Sequence, residues 1–199
     1  MLTLAIDTVT DMLSVALAGP NGMIVEKSIG GRRHATAVAP LIKDLLDRSD
    51  TDVLHTIIVA DGPGSFTGLR IGFGIALGIR RVRPGVGLRT LPSLFGSAYR
   101  ADRSGTVAAL YDAIRGDVFV GVWDFQPDGA PPKQLVPPQL CEPGNLSDLI
   151  GHVDMAVGPG VNVDRGALER WAGEIRDPQS DGAPSAAALI AIERNWGLA

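Results

Sequence analysis

The feature that most constrains the fold is a glycine-rich stretch that follows a short apolar run. Residues 56–60 read TIIVA, and residues 61–80 read DGPGSFTGLRIGFGIALGIR. The apolar run is typical of a buried strand, and residues 67–82 carry apolar residues at helical spacing. The pattern therefore predicts a buried strand, a tight glycine turn and a long helix.

The segments before this stretch predict an antiparallel opening followed by a helix. Strand-like runs occupy residues 2–6, 12–18 and 23–29, and the hairpin turn PNG lies between the last two. Residues 35–48 have the apolar spacing of a helix, in which Pro40 fits either the first turn or a kink. A strand at 85–91 and a helix at 92–100 are predicted after the glycine helix.

The chain then repeats its opening pattern. After the polar segment RADRSG at 100–105, a strand ends at Asp112 as the first strand ends at Asp7, and a second strand follows a short turn. This weak internal repeat predicts two related α/β lobes, residues 1–102 and 103–199. In the second lobe we expect a proline-rich loop at 127–138 and helices near 163–171 and 184–196.

Composition and charge argue against several classes of protein: general nucleic-acid binders, disulfide-bonded proteins, secreted proteins and membrane proteins. The formal net charge of −4 gives no general attraction to nucleic acid, and Cys141 is the only cysteine. The N-terminus has no basic region before an apolar one, and no apolar run has membrane-spanning length. We therefore expect a cytoplasmic protein with no membrane segment and no internal disulfide.

The glycine turn does not match the common nucleotide motifs. Gly62, Gly64 and Gly68 are spaced one residue too far apart for a dinucleotide fingerprint, and Leu69 follows where a P-loop has lysine. An anion or nucleotide could still bind at the helix start, where Ser65 or Thr67 is the expected N-cap and Thr8, Gly62 and Gly64 are expected nearby. The same features cap any helix, however.

Few residues suggest catalysis. Asp7, which is followed by Thr8, and Asp112 each end a strand, where an aspartate most often bonds its own turn. In a two-lobed fold such a pair could instead hold a metal ion bound to phosphate. The histidines His34, His55 and His152 have no zinc-site spacing. No metal site and no cofactor are predicted.

The glycine helix is apolar on nearly every side. One side carries Gly68, Ile71, Gly72, Ile75, Gly78, Ile79 and Val82, and the other carries Leu69, Phe73, Ala76 and Leu77. Such a helix must be covered either by its own domain or by a partner helix, and periodicity alone leaves both open.

Five segments together resemble the TsaB (YeaZ) family of bacterial proteins required for tRNA threonylcarbamoyladenosine (t6A) synthesis. They are LAIDTVTDMLSVAL, RRHATAVAPLI, ADGPGSFTGLRIGFGIALGI, TLPSL and LYDAIRGDVFVGVW, which lie in order within about the first 125 residues. The resemblance implies a two-lobed ASKHA fold related to actin and Hsp70, with mixed sheets flanked by helices. It also implies a non-catalytic paralogue of TsaD: where TsaD has two metal-binding histidines spaced by four, this chain has His34 and Val38.

The resemblance further implies partners and a docking face. We expect a heterodimer with a TsaD-like paralogue, assistance from a TsaE-like ATPase, and contact with tRNA only through the complex; self-association through the same helices stays open. The docking face predicted from the two helices comprises His34, Val38, Leu41, Ile42, Leu45, Gly68, Ile71, Gly72, Ile75, Gly78 and Ile79. The alternatives are an ASKHA small-molecule kinase with Asp7 and Asp112 beside ATP, and a peptidase.

Overall fold

The computed structural model describes residues 1–31, 34–49, 53–101, 104–176 and 182–198. The strands of these residues are β1 (Leu2–Asp7), β2 (Met12–Ala18), β3 (Ile24–Gly30), β4 (Leu54–Ala60), β5 (Gly87–Leu91), β6 (Gly105–Asp112), β7 (Val118–Phe125), β8 (Lys133–Cys141), β9 (Val153–Val157) and β10 (Ala172–Ile175). The helices are α1 (His34–Asp47), α2 (Phe66–Val82), α3 (Ser93–Tyr99), α4 (Leu146–Ile150), α5 (Arg165–Leu168) and α6 (Ala186–Trp196). Short 3₁₀ turns occupy Pro143–Asn145 and Pro159–Asn162.

The first compact unit comprises Met1–Ser93 and Pro184–Ala199. Its sheet has the order β3-β2-β1-β4-β5, in which β1 pairs antiparallel with β2 and parallel with β4. Alternate residues of β1 (Leu2, Leu4 and Ile6) enter an apolar core with α1 and α2, because successive side chains of a strand point to opposite faces. The helix α6 packs on β1 and β2.

The second unit, Leu94–Ala183, repeats this topology. Its sheet has the order β10-β9-β6-β7-β8, with β6 antiparallel to β7 and parallel to β9. Each unit is therefore built on an antiparallel three-stranded opening to which two parallel strands are added. The repeat at Asp7 and Asp112 in the sequence reflects this shared topology.

The proline-rich segment is not wholly a loop as the sequence predicts, because its second part forms β8. This strand lies at the edge of its sheet, where the missing N–H of proline breaks no ladder on the open side. Pro137 and Pro138 lie opposite the single residue Gly121, between the pairs Val120–Gln139 and Val122–Val136. The two prolines thus occupy a bulge, the other place in a sheet that tolerates them.

The unit boundaries differ from the expected segments 1–102 and 103–199. The first unit ends at Ser93, and α6 returns to it, because the apolar side of α6 is buried on β1 and β2 rather than on the second sheet. Within α1, Pro40 lies beyond the first turn, on an exposed side of the helix.

Candidate functional site

The glycine turn packs tightly on the turn that joins β1 to β2. The amide of Ser65 donates a 2.6 Å hydrogen bond to the carbonyl oxygen of Val9. A Cβ on Gly64 would lie 2.2 Å from that same oxygen, which no side chain tolerates. Glycine at this position is therefore explained by contact with the chain's own backbone.

The start of α2 is capped by internal contacts. The hydroxyl of Ser65 accepts a 3.2 Å hydrogen bond from the amide of Gly68, so Ser65 rather than Thr67 is the N-cap. The buried hydroxyl of Thr8 donates to the carbonyl oxygen of Gly68 at 2.7 Å. The side chains of Thr8 and Ser65, both assigned from the sequence to an anion site, are thus bonded to the helix start.

Asp7 is inaccessible to solvent, and both of its carboxylate oxygens accept hydrogen bonds. One oxygen accepts from the amide of Val9 at 3.3 Å and the other from the hydroxyl of Ser93 at 2.5 Å. Burial raises the pKa of Asp7 to about 6, the nearby Glu26 adds to the rise, and the two hydrogen bonds oppose it. In this conformation Asp7 joins β1 to the start of α3 and offers no oxygen to an ion or a nucleotide.

Asp112 is exposed in the second unit and closes the turn between β6 and β7. Its carboxylate accepts a 2.7 Å hydrogen bond from the amide of Ile114, which is an Asx turn. Ile114 and Arg115 both have left-handed backbone, with φ of 65° and 68°. The contacts of Asp112 are therefore those of an aspartate that stabilises its own turn, as is common at this position.

No cluster of three or more metal-ligating side chains occurs among the described residues. Val38, at the position that corresponds to the second histidine of TsaD, is buried in the core of the first unit; the side chain of His34 lies outside the described part. A cavity of about 600 Å³ opens near the beginning of β1, where Thr3, Thr56, Arg89 and Glu193 line it. None of the residues assigned to an anion site lines this cavity.

Many of the predicted docking residues are covered by their own unit. Val38, Ile42, Leu45, Gly68 and Gly72 are buried. A Cβ on Gly72 would lie 2.8 Å from the hydroxyl oxygen of Thr8. The predicted docking face is corrected for these five, since they have no surface for a partner in this conformation.

The other predicted docking residues are only partly covered or are exposed. Leu41, Ile71, Ile75 and Ile79 are partly buried against the same core. Gly78 is exposed, and a Cβ built there meets nothing within 4 Å. The four glycines of α2 therefore fall into two pairs: Gly68 and Gly72 are buried against β1 and the turn that follows it, and Gly74 and Gly78 are exposed.

Seven of the nine exposed residues of α2 form a continuous surface that sequence reasoning missed; the other two, Arg80 and Val82, lie beside it. We call it the outer face of α2: Phe66, Thr67, Arg70, Gly74, Leu77, Gly78 and Arg81. At 100° per residue these positions fall within about 120° of arc. Phe66 is 72% exposed and Leu77 is 53% exposed, and the guanidinium of Arg70 lies 5.6 Å from the centre of the Phe66 ring. The signal for this face in the sequence is the pair Arg70 and Arg81, because charged side chains on an otherwise apolar helix indicate the side that faces solvent.

None of the described helices is both long enough and apolar enough to span a membrane.

Comparison with known proteins identifies the family. The family model described as "TsaD: tRNA N6-adenosine threonylcarbamoyltransferase" matches residues 22–163. The chain is 36% identical over 123 residues to the Escherichia coli protein named tRNA threonylcarbamoyladenosine biosynthesis protein TsaB, a match that covers 60% of this chain and 53% of that protein. It is 32% identical over 144 residues to the Bacillus subtilis TsaB, covering 70% of this chain and 61% of the relative. The matched segment thus spans little more than half of each relative.

Solved structures share the fold over nearly the whole chain. YeaZ from Pseudomonas aeruginosa has a TM-score of 0.79 at 24% identity, covering 98% of this chain and 91% of that one. A second structure, described as an uncharacterized protein with similarity to peptidase YEAZ from Pseudomonas aeruginosa, has a TM-score of 0.81 at 25% identity, with coverage of 97% and 90%. The predicted fold class, an α/β ASKHA-type fold with two mixed sheets flanked by helices, is confirmed. The chain belongs to the family that the TsaD model describes, and within it to the TsaB (YeaZ) group.

Proposed function

We propose that this chain is a non-catalytic subunit in the synthesis of tRNA t6A. In this role it docks with a TsaD-like paralogue and supports transfer of a threonylcarbamoyl group to the adenosine beside the anticodon. The observation that carries the proposal is the outer face of α2. It leaves two large apolar side chains exposed, while the glycine turn that precedes it is closed by contacts within the chain.

The outer face of α2 has the composition of a docking surface. Phe66 and Leu77 expose large apolar side chains on one helix, and exposed apolar surface of this kind commonly marks an interaction site. Gly74 lies between them along the helix and Gly78 follows Leu77, and a Cβ built on either glycine meets nothing within 4 Å. A partner helix can therefore approach closely at the centre of the face while its side chains contact the two apolar residues.

The contacts of the candidate catalytic residues support an accessory role. Both oxygens of Asp7 are engaged inside the first unit, and Asp112 bonds its own turn. On this proposal the chemistry belongs to the TsaD-like partner, a TsaE-like ATPase acts with the pair, and tRNA is held by the complex. The net charge of −4 supports weak tRNA binding by the chain alone.

Replacement of Leu77 by aspartate tests the docking proposal. We expect Leu77→Asp to weaken binding to the TsaD paralogue of the same genome by about ten- to 100-fold, because burial of a leucine contributes about 1.5 to 3 kcal/mol. The matched control is Leu140→Asp on β8, since Leu140 is 56% exposed and Leu77 is 53% exposed. Calorimetric titration gives the affinities, and circular dichroism checks that both variants fold. If the two variants bind the paralogue equally well, the outer face of α2 is not the docking surface.

A second experiment separates the accessory role from a kinase. We expect the isolated chain to show no ATP turnover above background, against about 1 per second at the low end of ordinary enzymes. Turnover that Asp7→Asn or Asp112→Asn abolishes would favour the kinase. Titration with Mg-ATP in the absence of any partner gives the companion measurement.

A further inference from the structure

The cavity near the beginning of β1 lies on the side of the first sheet that faces α6. Leu2 and Leu4 point to the core with α1 and α2, so Thr3, which lies between them, points to the opposite face. The helix α6 packs on this opposite face, where the amide of Ala186 donates a hydrogen bond to the hydroxyl of Ser14. All the residues that line the cavity belong to the first unit.

A bulge in β4 brings a second threonine to this cavity. Leu2 pairs with Leu54 and Thr3 pairs with Thr56, so His55 is an extra residue in β4, and its Nδ1 accepts a 3.2 Å hydrogen bond from the amide of Leu2. Leu54 and Thr56 would share a face in a regular strand. The bulge separates them: Leu54 enters the core with α1 and α2, and Thr56 lies beside Thr3 at the cavity. Bulges commonly re-aim a side chain next to a functional site.

The hydroxyl groups of these two threonines are available to a ligand. Thr3 and Thr56 are only partly buried, and neither hydroxyl is bonded to another residue within the described part of the chain. A Cβ built on Gly87, in the next strand, would lie 3.8 Å from the hydroxyl oxygen of Thr56. Glycine at position 87 therefore leaves the space beside this hydroxyl open.

Arg194 supplies a positive charge at the same cavity. Its guanidinium donates to the carbonyl oxygen of Gly22 at 2.7 Å and to that of Gly19 at 3.3 Å. These neutral acceptors fix the position of the guanidinium but do not neutralise it, and no described carboxylate forms an ion pair with it. A guanidinium has five N–H donors, so donors remain for an anion.

The remaining charged side chains of the cavity form an ion pair between Arg89 of β5 and Glu193 of α6. This pair is neutral overall, so the lining side chains together carry one net positive charge, that of Arg194. A carboxylate beside a guanidinium offers both acceptors and donors to hydroxyl groups. The volume of about 600 Å³ lies within the range of about 300 to 1,000 Å³ that is common for sites of small organic ligands.

We infer that this cavity is a binding site for a small organic phosphate, a molecule that carries a phosphate group and several hydroxyl groups. The hydroxyls of Thr3 and Thr56 and the guanidinium of Arg194 hold the phosphate group, because charge-assisted hydrogen bonds to an oxyanion are the strong ones. Arg89 and Glu193 contact the hydroxyl groups. No residue of α2 lines this cavity, so the inference does not depend on the proposed docking function.

Titration of the isotope-labelled full chain with ribose 5-phosphate tests the inference, with the ionic strength held constant by NaCl. We expect saturable shifts of the backbone amide signals of Gly22, Thr56 and Arg194. Inorganic phosphate should bind at the same amides about two- to tenfold more weakly, because it lacks the hydroxyl groups that bond Arg89 and Glu193. The inference is overturned if ribose 5-phosphate gives no saturable shift, if it binds no more tightly than inorganic phosphate, or if its shifts lie at the glycine turn.

Two variants test the phosphate-binding groups separately. Thr56→Val keeps the shape of the side chain and removes only its hydroxyl, and Arg194→Gln removes the charge. Each should weaken binding of ribose 5-phosphate by at least about tenfold, since a hydrogen bond to a charged group contributes about this much. Wild-type affinity in Thr56→Val would overturn the inference, and this variant decides even if Arg194→Gln fails to fold for want of its bonds to Gly19 and Gly22.

The matched control for Arg194→Gln is Arg81→Gln on α2. Both arginines are exposed, and both substitutions change the net charge equally, but Arg81 does not line the cavity. Arg81→Gln should bind ribose 5-phosphate as the wild-type chain does. If it weakens binding as much as Arg194→Gln, overall charge rather than this cavity holds the phosphate, and the inference is overturned.

Discussion

The hydroxyl of Ser93 donates a 2.5 Å hydrogen bond to the carboxylate of Asp7, and both residues are fully buried. They are 86 positions apart in the sequence, so the contact holds the end of β1 to the start of α3. Asp7 thereby has a structural role in the first unit.

Asp7 gives the stability of the protein a defined pH dependence. Its pKa is raised from 3.8 to about 6 in the folded state, so the folded protein binds this proton more tightly than the unfolded chain does. The free energy of unfolding should therefore fall as pH rises from about 4 to about 6, by about 3 kcal/mol in total from this group. In Asp7→Asn this fall should disappear, as measured by urea unfolding across that pH range.

Asp112→Asn is the control for this titration, because Asp112 is exposed and bonds only its own turn in the contacts described above. It should keep the wild-type fall in stability. If the free energy of unfolding of Asp7→Asn falls with pH as steeply as that of the wild-type protein, the pH dependence arises from other groups.

The glycines of α2 should respond in opposite directions to alanine. A Cβ on Gly68 would lie 1.9 Å from the carbonyl oxygen of Thr8, so Gly68→Ala should destabilise the protein by about 1 to 3 kcal/mol or more. Gly78 has open space around it, so Gly78→Ala should stabilise the protein by about 0.5 to 1 kcal/mol through helix propensity. Chemical denaturation gives the free energy of unfolding of both variants. Destabilisation of similar size in both would contradict the assignment of Gly68 to the buried side and Gly78 to the exposed side of α2.

The buried Ser14 should anchor the last helix. Its hydroxyl donates to the carboxylate of Glu26 at 2.6 Å and accepts from the amide of Ala186 at 2.9 Å. Ser14→Ala leaves that amide without its partner and should cost about 1 to 3 kcal/mol. Hydrogen exchange should also become faster in α6.

The control for Ser14→Ala is its register partner on β3, Ser28, which is exposed. Ser28→Ala should change stability by less than about 0.5 kcal/mol and leave the exchange of α6 unchanged. Faster exchange in both variants would mean that the sheet edge, not the Ser14 bond, controls α6.

Ile114 should be replaceable with a gain in stability. It is branched at Cβ, it has a φ of 65°, and its side chain is 74% exposed. Asparagine tolerates left-handed backbone better, so Ile114→Asn should raise the free energy of unfolding by about 0.5 to 1 kcal/mol. Leu140→Asn, an exposed site in a strand, should give no such gain; a loss in Ile114→Asn would show that its side chain makes a needed contact.

The sequence by itself determined the order and type of most elements. Apolar periodicity located β1, β4 and α2 to within two residues at each end, and the restart after residue 105 indicated that the second unit repeats the first. These features are local, because the period of apolar residues directly reports which side of a strand or helix is buried.

Only the tertiary structure decided which polar and small residues are available to a partner or a ligand. Gly72 and Gly78 look alike in the sequence, yet one meets Thr8 and the other meets open space. Asp7 and Asp112 end equivalent strands, but one is buried against Ser93 and the other is exposed. The physical reason is that coverage depends on residues far away in the chain, such as Ser93 and α6, and no local periodicity carries that information.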